Sequence, residues 1–239
     1  MKGDVTINGE TTINDNGTLT GTLTVNDTTT LNFIIICATG RSGSTTLQRI
    51  INTIEDSNIR GENCGAINNL LSCYLNIKKT NKMRIKEYYE ETTIKKPSWY
   101  NCYDFETVKN NIKNTILSIL NNNDKSLRII GFKEIRYLNN IYLIDEFIEL
   151  FPNTKVICHI DDNLDRQSNS GWWKKNKNSR NTLEKYNKQL IDYCKCNPNT
   201  YLSYMKNLFD INEMINMFNF LEEKFNEKKY KYIIDNSKE

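Results

Sequence analysis

Proline is scarce in this chain, with 3 residues in 239, and there is a single histidine. Ten glycines complete a composition too poor in turn formers for a collagen-like chain. A content of 38% hydrophobic and 10% aromatic residues excludes disorder over the whole length. Long apolar runs are missing as well. The longest, Phe33 to Ala38, falls far short of the roughly 20 residues that span a bilayer. The first residues lack the basic, apolar, small-residue order of a signal peptide, so a cytoplasmic chain without a membrane partner is expected. The seven cysteines contain no C-x-x-C pair, and Cys194-x-Cys196 is the closest spacing. An odd count beside one histidine argues against a disulfide framework and against a zinc site, so reduced thiols and no metal are expected. With 32 basic and 29 acidic residues the net charge is +3, which sets up no strong field for nucleic acid and suits a small anionic ligand.

Residues 1–32 differ from the rest. Val5-Thr-Ile-Asn-Gly, Leu23-Thr-Val-Asn-Asp and Thr30-Leu-Asn vary one alternating unit of threonine and aliphatic residues closed by turn formers. That pattern reads as short strands of a β-repeat leader or fibre-like stalk, with a loosely ordered Thr/Asn segment as the alternative. A stacked leader would offer a route to oligomerisation. From Phe33 onward strands and helices alternate. Strands are expected at Phe33 to Ala38, Asn58 to Arg60, Leu127 to Phe132, Lys155 to Ile160 and Tyr201 to Tyr204. Helices are expected from Ser44 to about Ile54, Ile67 to Tyr74, Phe105 to Leu120, Leu138 to Leu150, after Asn163, after Thr182, and Ile211 to Phe225. Strands spaced by helices, too far apart for hairpins, imply an α/β domain over 33–239 with a parallel sheet covered on both faces.

The informative segment is Phe33-Ile-Ile-Ile-Cys-Ala-Thr-Gly-Arg-Ser-Gly-Ser-Thr-Thr-Leu: a buried strand, a glycine-containing turn and a helix that opens with hydroxyl residues. A helix start presents unpaired N–H groups and the positive end of its dipole, and Gly40 and Gly43 let that backbone close on an anion. Arg41 adds a permanent planar cation, and Ser44, Thr45 and Thr46 add hydroxyl donors. A plain capped strand-to-helix turn is the simpler alternative. The loop is not G-x-x-x-x-G-K-[ST], because no lysine is present and the glycine spacing is too short, which disfavours a kinase or GTPase. The G-x-G-x-x-G dinucleotide fingerprint is absent too.

Gly40-Arg-Ser-Gly-Ser-Thr-Thr-Leu after a buried strand resembles the phosphosulfate-binding loop of the P-loop-like sulfotransferases that use 3'-phosphoadenosine 5'-phosphosulfate (PAPS), particularly the carbohydrate type. Further segments resemble that family in order: Ile59-Arg-Gly-Glu-Asn, Gly131-Phe-Lys-Glu-Ile-Arg, Val156 to His159, Asp165-Arg-Gln-Ser-Asn-Ser-Gly-Trp-Trp, and Thr200-Tyr-Leu-Ser-Tyr with Leu208-Phe-Asp. The resemblance covers roughly Asn32 to Glu239 and implies a PAPS-dependent transferase acting on a hydroxyl, most readily of a carbohydrate, without a metal. A catalytically weak or inactive nucleotide- or glycan-binding module on the same fold is the alternative.

The resemblance also implies roles. Arg41 would stabilise the leaving group, while Gly40, Ser42, Gly43, Ser44, Thr45 and Thr46 would cradle the 5'-phosphate. Glu62 would be the general base, with Glu134 as runner-up. Lys133 and Arg136 would meet phosphosulfate or an anionic acceptor. Ser170, or Ser168 in its place, would hold the 3'-phosphate, and of Trp172 and Trp173 one would be core while the other stacks on sugar or adenine. Lys174, Lys175 and Lys177 read as a solvated face or a weak anion lure, and His159 as a core histidine bonded to backbone. The acceptor would be chosen by the loop between about Cys73 and Tyr103 and by the helices after Asn178. One departure stands out. The family's strand before Ser170 delivers an Arg about nine residues earlier, where this chain has Asp161 and then Asp162. Two acids facing a phosphate imply weak donor affinity, with Arg166 or Lys174 as substitutes.

Overall fold

The computed structural model describes Thr12–Ile13, Leu19–Thr20, residues 31–87, 103–121, 124, 126–137 and 140–237. Contacts divide the chain into Met1–Thr30 and Leu31–Glu239. In the first unit β1 (Thr12–Ile13) pairs antiparallel with β2 (Leu19–Thr20), Thr12 opposite Thr20. The repeat units read at Val5 and Leu23 lie outside the described residues.

The second unit is built on five parallel strands: β3 (Asn32–Ala38), β4 (Ser57–Arg60), β5 (Ile129–Glu134), β6 (Thr154–Ile160) and β7 (Thr200–Tyr204), in the order β4-β5-β3-β6-β7. The apolar run Phe33 to Ala38 therefore becomes the central strand, buried on both faces, as parallel sheets require. Alternate residues divide between two cores. Phe33, Ile35 and Cys37 pack with α2 (Ala66–Glu87), α3 (Phe105–Asn121), α4 (Leu143–Leu150) and α6 (Ser179–Cys196). Ile34, Ile36 and Ala38 pack with α1 (Ser44–Ile51), α7 (Ile211–Leu221) and α8 (Glu227–Asp235). The expected α/β architecture is the observed one. Gly131 of β5 sits opposite Ile34, where an added Cβ would lie 1.8 Å from the Ile34 carbonyl oxygen. No side chain fits between these strands.

Several boundaries differ from the sequence reading, each for a local reason. The first helix ends at Ile51 instead of Ile54, because the Asn52 carboxamide turns away to pair with β4. Its Oδ1 accepts from the Ile59 amide at 2.7 Å and its Nδ2 donates to the Ile59 carbonyl at 2.9 Å. The helix expected from Leu138 begins at Leu143, after turns closed by Asn140 N–H to Tyr137 (2.8 Å) and Leu143 N–H to Asn140 (2.9 Å). The strand read from Leu127 starts at Ile129, since the Arg128 and Ile129 amides both donate to the Asp56 carbonyl. The helix after Asn163 is short, α5 (Leu164–Ser168), and Trp172 and Trp173 lie instead in a separate 3₁₀ turn, Gly171–Lys175. Glu222, left-handed at φ 60°, ends α7 before Phe225. Asn32, assigned above to the leader, opens β3.

Candidate active site

The carboxyl ends of β3, β5 and β6 converge, which in open parallel sheets is where ligands bind. The loop Thr39–Gly43 leaves β3 here with two left-handed residues, Arg41 at φ 67° and Gly43 at φ 81°, Gly43 being the N-cap of α1. Such alternation turns successive N–H groups to one side and carbonyls to the other. Each carbonyl from Thr39 to Ser42 is held from behind by a side chain. Ser42 Oγ donates to Thr39 O at 2.7 Å. Gln167 Nε2 and Trp173 Nε1 donate to Gly40 O at 2.8 and 3.0 Å. Arg166 reaches Arg41 O at 3.2 Å, and His159 Nε2 reaches Ser42 O at 2.8 Å. By contrast, the amides of Ser42 to Thr46 find no acceptor among the described residues. Ser42 is fully buried, but Gly43 to Thr46 border a cleft, so their amides form a row of unpaired N–H donors at the head of α1, backed by the bonded carbonyls.

His159 is fully buried between this loop and β7. A carbonyl only accepts, so Nε2 carries the proton toward Ser42, and Nδ1 accepts from Ser203 Oγ at 3.0 Å. Burial holds its pKa down at about 4, the Ser42 bond opposing only in part, and the ring is neutral. His159 is thus the backbone-bonded core histidine that its place in a strand suggested.

The loop floors a cleft of about 390 Å³ whose walls include Glu62, Lys133, Ile135, Arg166, Trp172 and Met205. Glu62 stands at one side between two cations, Lys133 Nζ at 2.6 Å and Arg136 Nη1 at 2.9 Å. Partial burial pulls its pKa up, but the hydrogen bonds and charges of Lys133 and Arg136 outweigh that and hold it below the usual carboxylate range. Glu134, the other acid considered above, does not line the cleft and is fully buried. Its Oε1 accepts from the Ile135 amide (2.9 Å), the Arg136 amide (3.2 Å) and Arg136 Nη1 (2.8 Å), and its Oε2 from the Gly65 amide (3.3 Å). A carboxylate saturated by these donors has no face for an acceptor hydroxyl.

At the opposite side Arg41 extends over Gly171, and its Nε donates to Ser170 Oγ at 3.1 Å. Ser168 is engaged within its own helix, donating to Asp165 O at 3.2 Å. The acids that stood where a cation was expected are already paired. Asp161, only 2% exposed, is ion-paired with Arg166 and accepts from the Asn163 amide at 3.0 Å, while Asp162 pairs with Lys206 at 2.5 Å. The repulsion inferred from their position is therefore offset within the protein, and the arginine suggested as a substitute is the one that offsets it. Lys174, Lys175 and Lys177 do not line the cleft. Trp172, 52% exposed, lies so close over the loop that a Cβ on Gly40 would sit 2.4 Å from its Cζ2. Neither tryptophan is core: one bonds the loop and the other caps it. Gln167 was missed in the sequence. It is fully buried and also donates to Thr39 Oγ1 at 2.8 Å, yet a glutamine inside a helical segment carries no signal of this role. No group of three or more His, Cys, Asp or Glu side chains arranged to hold a metal occurs among the described residues.

Two solved structures are similar to this chain at low identity. A sulfotransferase from Mycobacterium tuberculosis is 9% identical with a TM-score of 0.41, the match covering 85% of this chain and 71% of that one. A sulfotransferase from Alicyclobacillus acidocaldarius is 11% identical with a TM-score of 0.44, covering 82% of each chain. Comparison with curated proteins finds no match. The model of the sulfotransferase family matches residues 33–217, from the central strand through the loop, Glu62, Lys133 and Ser170 into α7. This chain belongs to the sulfotransferase family.

Proposed function

We propose that the protein transfers the sulfuryl group of PAPS to a hydroxyl of an acceptor, in first place a carbohydrate. The observation that carries this reading is the loop whose carbonyls are all bonded from behind while the amides of Gly43 to Thr46, residues that line the cleft, find no acceptor among the described residues. An anionic phosphosulfate is what such a row of donors accommodates, assisted by Arg41 and by Lys133. Arg41 and Ser170, bonded to each other, form a second donor group beside the first and suit the further phosphate of the same nucleotide.

In this reading the acceptor oxygen attacks sulfur in line, the bond from sulfur to the phosphate oxygen breaks, and 3',5'-ADP leaves with the electron pair. The loop amides, Arg41 and Lys133 meet the charge that builds on that oxygen, while Glu62 takes the acceptor proton. The exposed indole of Trp172 at the mouth suits the apolar face of a sugar ring. The binding-module reading draws on a specific observation too, since a carboxylate held between two cations is a weak base.

Calorimetry with 3',5'-ADP and transfer of labelled sulfate from PAPS to a glycan panel test the two readings together. Arg41→Ala is expected to weaken nucleotide binding and to cost about 2–4 kcal/mol in transfer. Glu62→Gln is expected to spare nucleotide binding and slow transfer roughly 10²–10⁴-fold. Undiminished nucleotide affinity in Arg41→Ala removes the loop assignment. Nucleotide binding with no transfer to any acceptor favours the module.

A further inference from the structure

Glu134 poses a question that the cleft alone does not answer. A fully buried carboxylate is costly unless it is paired and hydrogen-bonded, and this one makes no contact with the space where substrates would lie. Lys133 and Glu134 are consecutive on β5, so their side chains leave opposite faces of the sheet. Their register partners on β3 are Ile36, in the core beside α1, and Cys37, in the core beside α2. The two residues thus approach Glu62 from different sides. Lys133 touches it directly. Glu134 reaches it through Arg136, and through the Gly65 amide it also fastens the turn that carries Glu62, where Cys64 and Gly65 are both left-handed at φ 55° and 79°.

The decisive detail is that one nitrogen serves both acids. Arg136 Nη1 lies 2.9 Å from Glu62 Oε2 and 2.8 Å from Glu134 Oε1. The titratable groups packed around Glu134 are Cys37 and Tyr137, and burial pushes both pKa values far up, so they stay neutral. Among the described residues, Arg136 is then the only cation ion-paired with Glu134. Around Glu62 the charged groups are Lys133 and Arg136 in contact, with Arg41 and Arg166 across the cleft. Two undiluted cations on Glu62 would leave it ionised but a poor proton acceptor.

Building on the reading of Glu62 as base, we propose that Glu134 is a positioning residue: it fixes Arg136 and draws off part of its charge, so that Glu62 stays basic enough to take the acceptor proton. The prediction has a sign that structural damage does not share. In the full-length protein, the Glu62 carboxyl is followed by ¹³C NMR of glutamate-labelled samples, assigned by its disappearance in Glu62→Gln, and the acid limb of kcat/KM is recorded in parallel. Glu134→Gln, which keeps the shape and removes the charge, is expected to move both downward by about one pH unit. Arg136→Gln is expected to move both upward by a similar amount. Glu134→Asp is expected to act as Glu134→Gln does but less, and it carries the test if the glutamine variant does not fold. A Glu62 carboxyl that stays in place or moves upward when Glu134 is changed overturns the proposal. A carboxyl that moves as expected beside an unmoved rate profile overturns Glu62 as base, and the proposal with it.

Discussion

The single histidine offers a quantitative check on how the loop Thr39–Gly43 is held. His159 has a folded-state pKa of about 4 against a reference of 6.5, with burial as the main cause. The unfolded chain therefore binds more protons than the folded one between these values, and stability falls as pH drops through that window. Above pH 6.5 the neutral ring contributes fully. Below about pH 4 both states are protonated and the loss is complete, at about 3 kcal/mol in total. Between pH 7 and pH 5 the expected loss is about 2 kcal/mol. The lowered carboxyls of Glu62 and Glu149 give up stability only as pH falls past their ordinary value of 4.5. The Cys194 thiol, held down to about 6 by its hydrogen bond with Cys158, titrates inside this interval, so the His159 share is the difference between wild type and a His159 variant. Urea unfolding followed by circular dichroism at pH 7, 6 and 5 reads the loss directly. His159→Asn lacks the ionisation and is expected to be less stable at pH 7 but to lose about 2 kcal/mol less than wild type over the same range. As the chain has one histidine, its ring resonances titrate without assignment ambiguity. Parallel pH dependence in wild type and variant, or a ring that titrates near 6.5, refutes the argument.

Two further substitutions probe the same region. Gly43→Ala forces a Cβ onto a left-handed residue and within 2.1 Å of Met205 Sδ; the backbone cost of about 1–2 kcal/mol lowers the melting temperature by about 2–8 °C. Displacement of Met205 into the cleft also weakens 3',5'-ADP in calorimetry, and unchanged melting and affinity contradict this account. Asp161→Arg, which the motif spacing alone would favour as a gain of phosphate affinity, is expected to cost about 3–5 kcal/mol because it sets a second cation against Arg166 at a buried position. Tighter nucleotide binding at unchanged urea midpoint would restore the simpler reading.

The sheet was legible because its signals are local. Phe33 to Ala38 is a run that only a central parallel strand buries on both sides, and the loop after it announces itself by glycine spacing and hydroxyl residues. Glu62 could be chosen as a candidate because the family resemblance places an acidic residue just past the second strand. What could not be read is which groups answer one another across the fold. Glu134 looks as available as Glu62 in the sequence, and only the register of β5 sends it to the far face. Asp161 looked hostile to phosphate because its partner Arg166 arrives from the next helix. The end of α1 at Ile51 depends on Asn52 finding the backbone of β4, a contact between side chain and strand that helical periodicity does not encode.

The placement of β3 at the middle of the sheet has a consequence for synthesis. Its two neighbours are β5 and β6, which begin at Ile129 and Thr154, whereas β3 begins at Asn32. At a ribosomal rate of about 5–20 residues per second, the first partner follows the central strand by roughly 5–20 s. Throughout that interval the nascent polypeptide carries an apolar, β-branched stretch without proline or charge, the kind of segment that pairs with copies of itself. Holding that stretch apart until β5 emerges is the task that this topology hands to the chaperones at the ribosome exit.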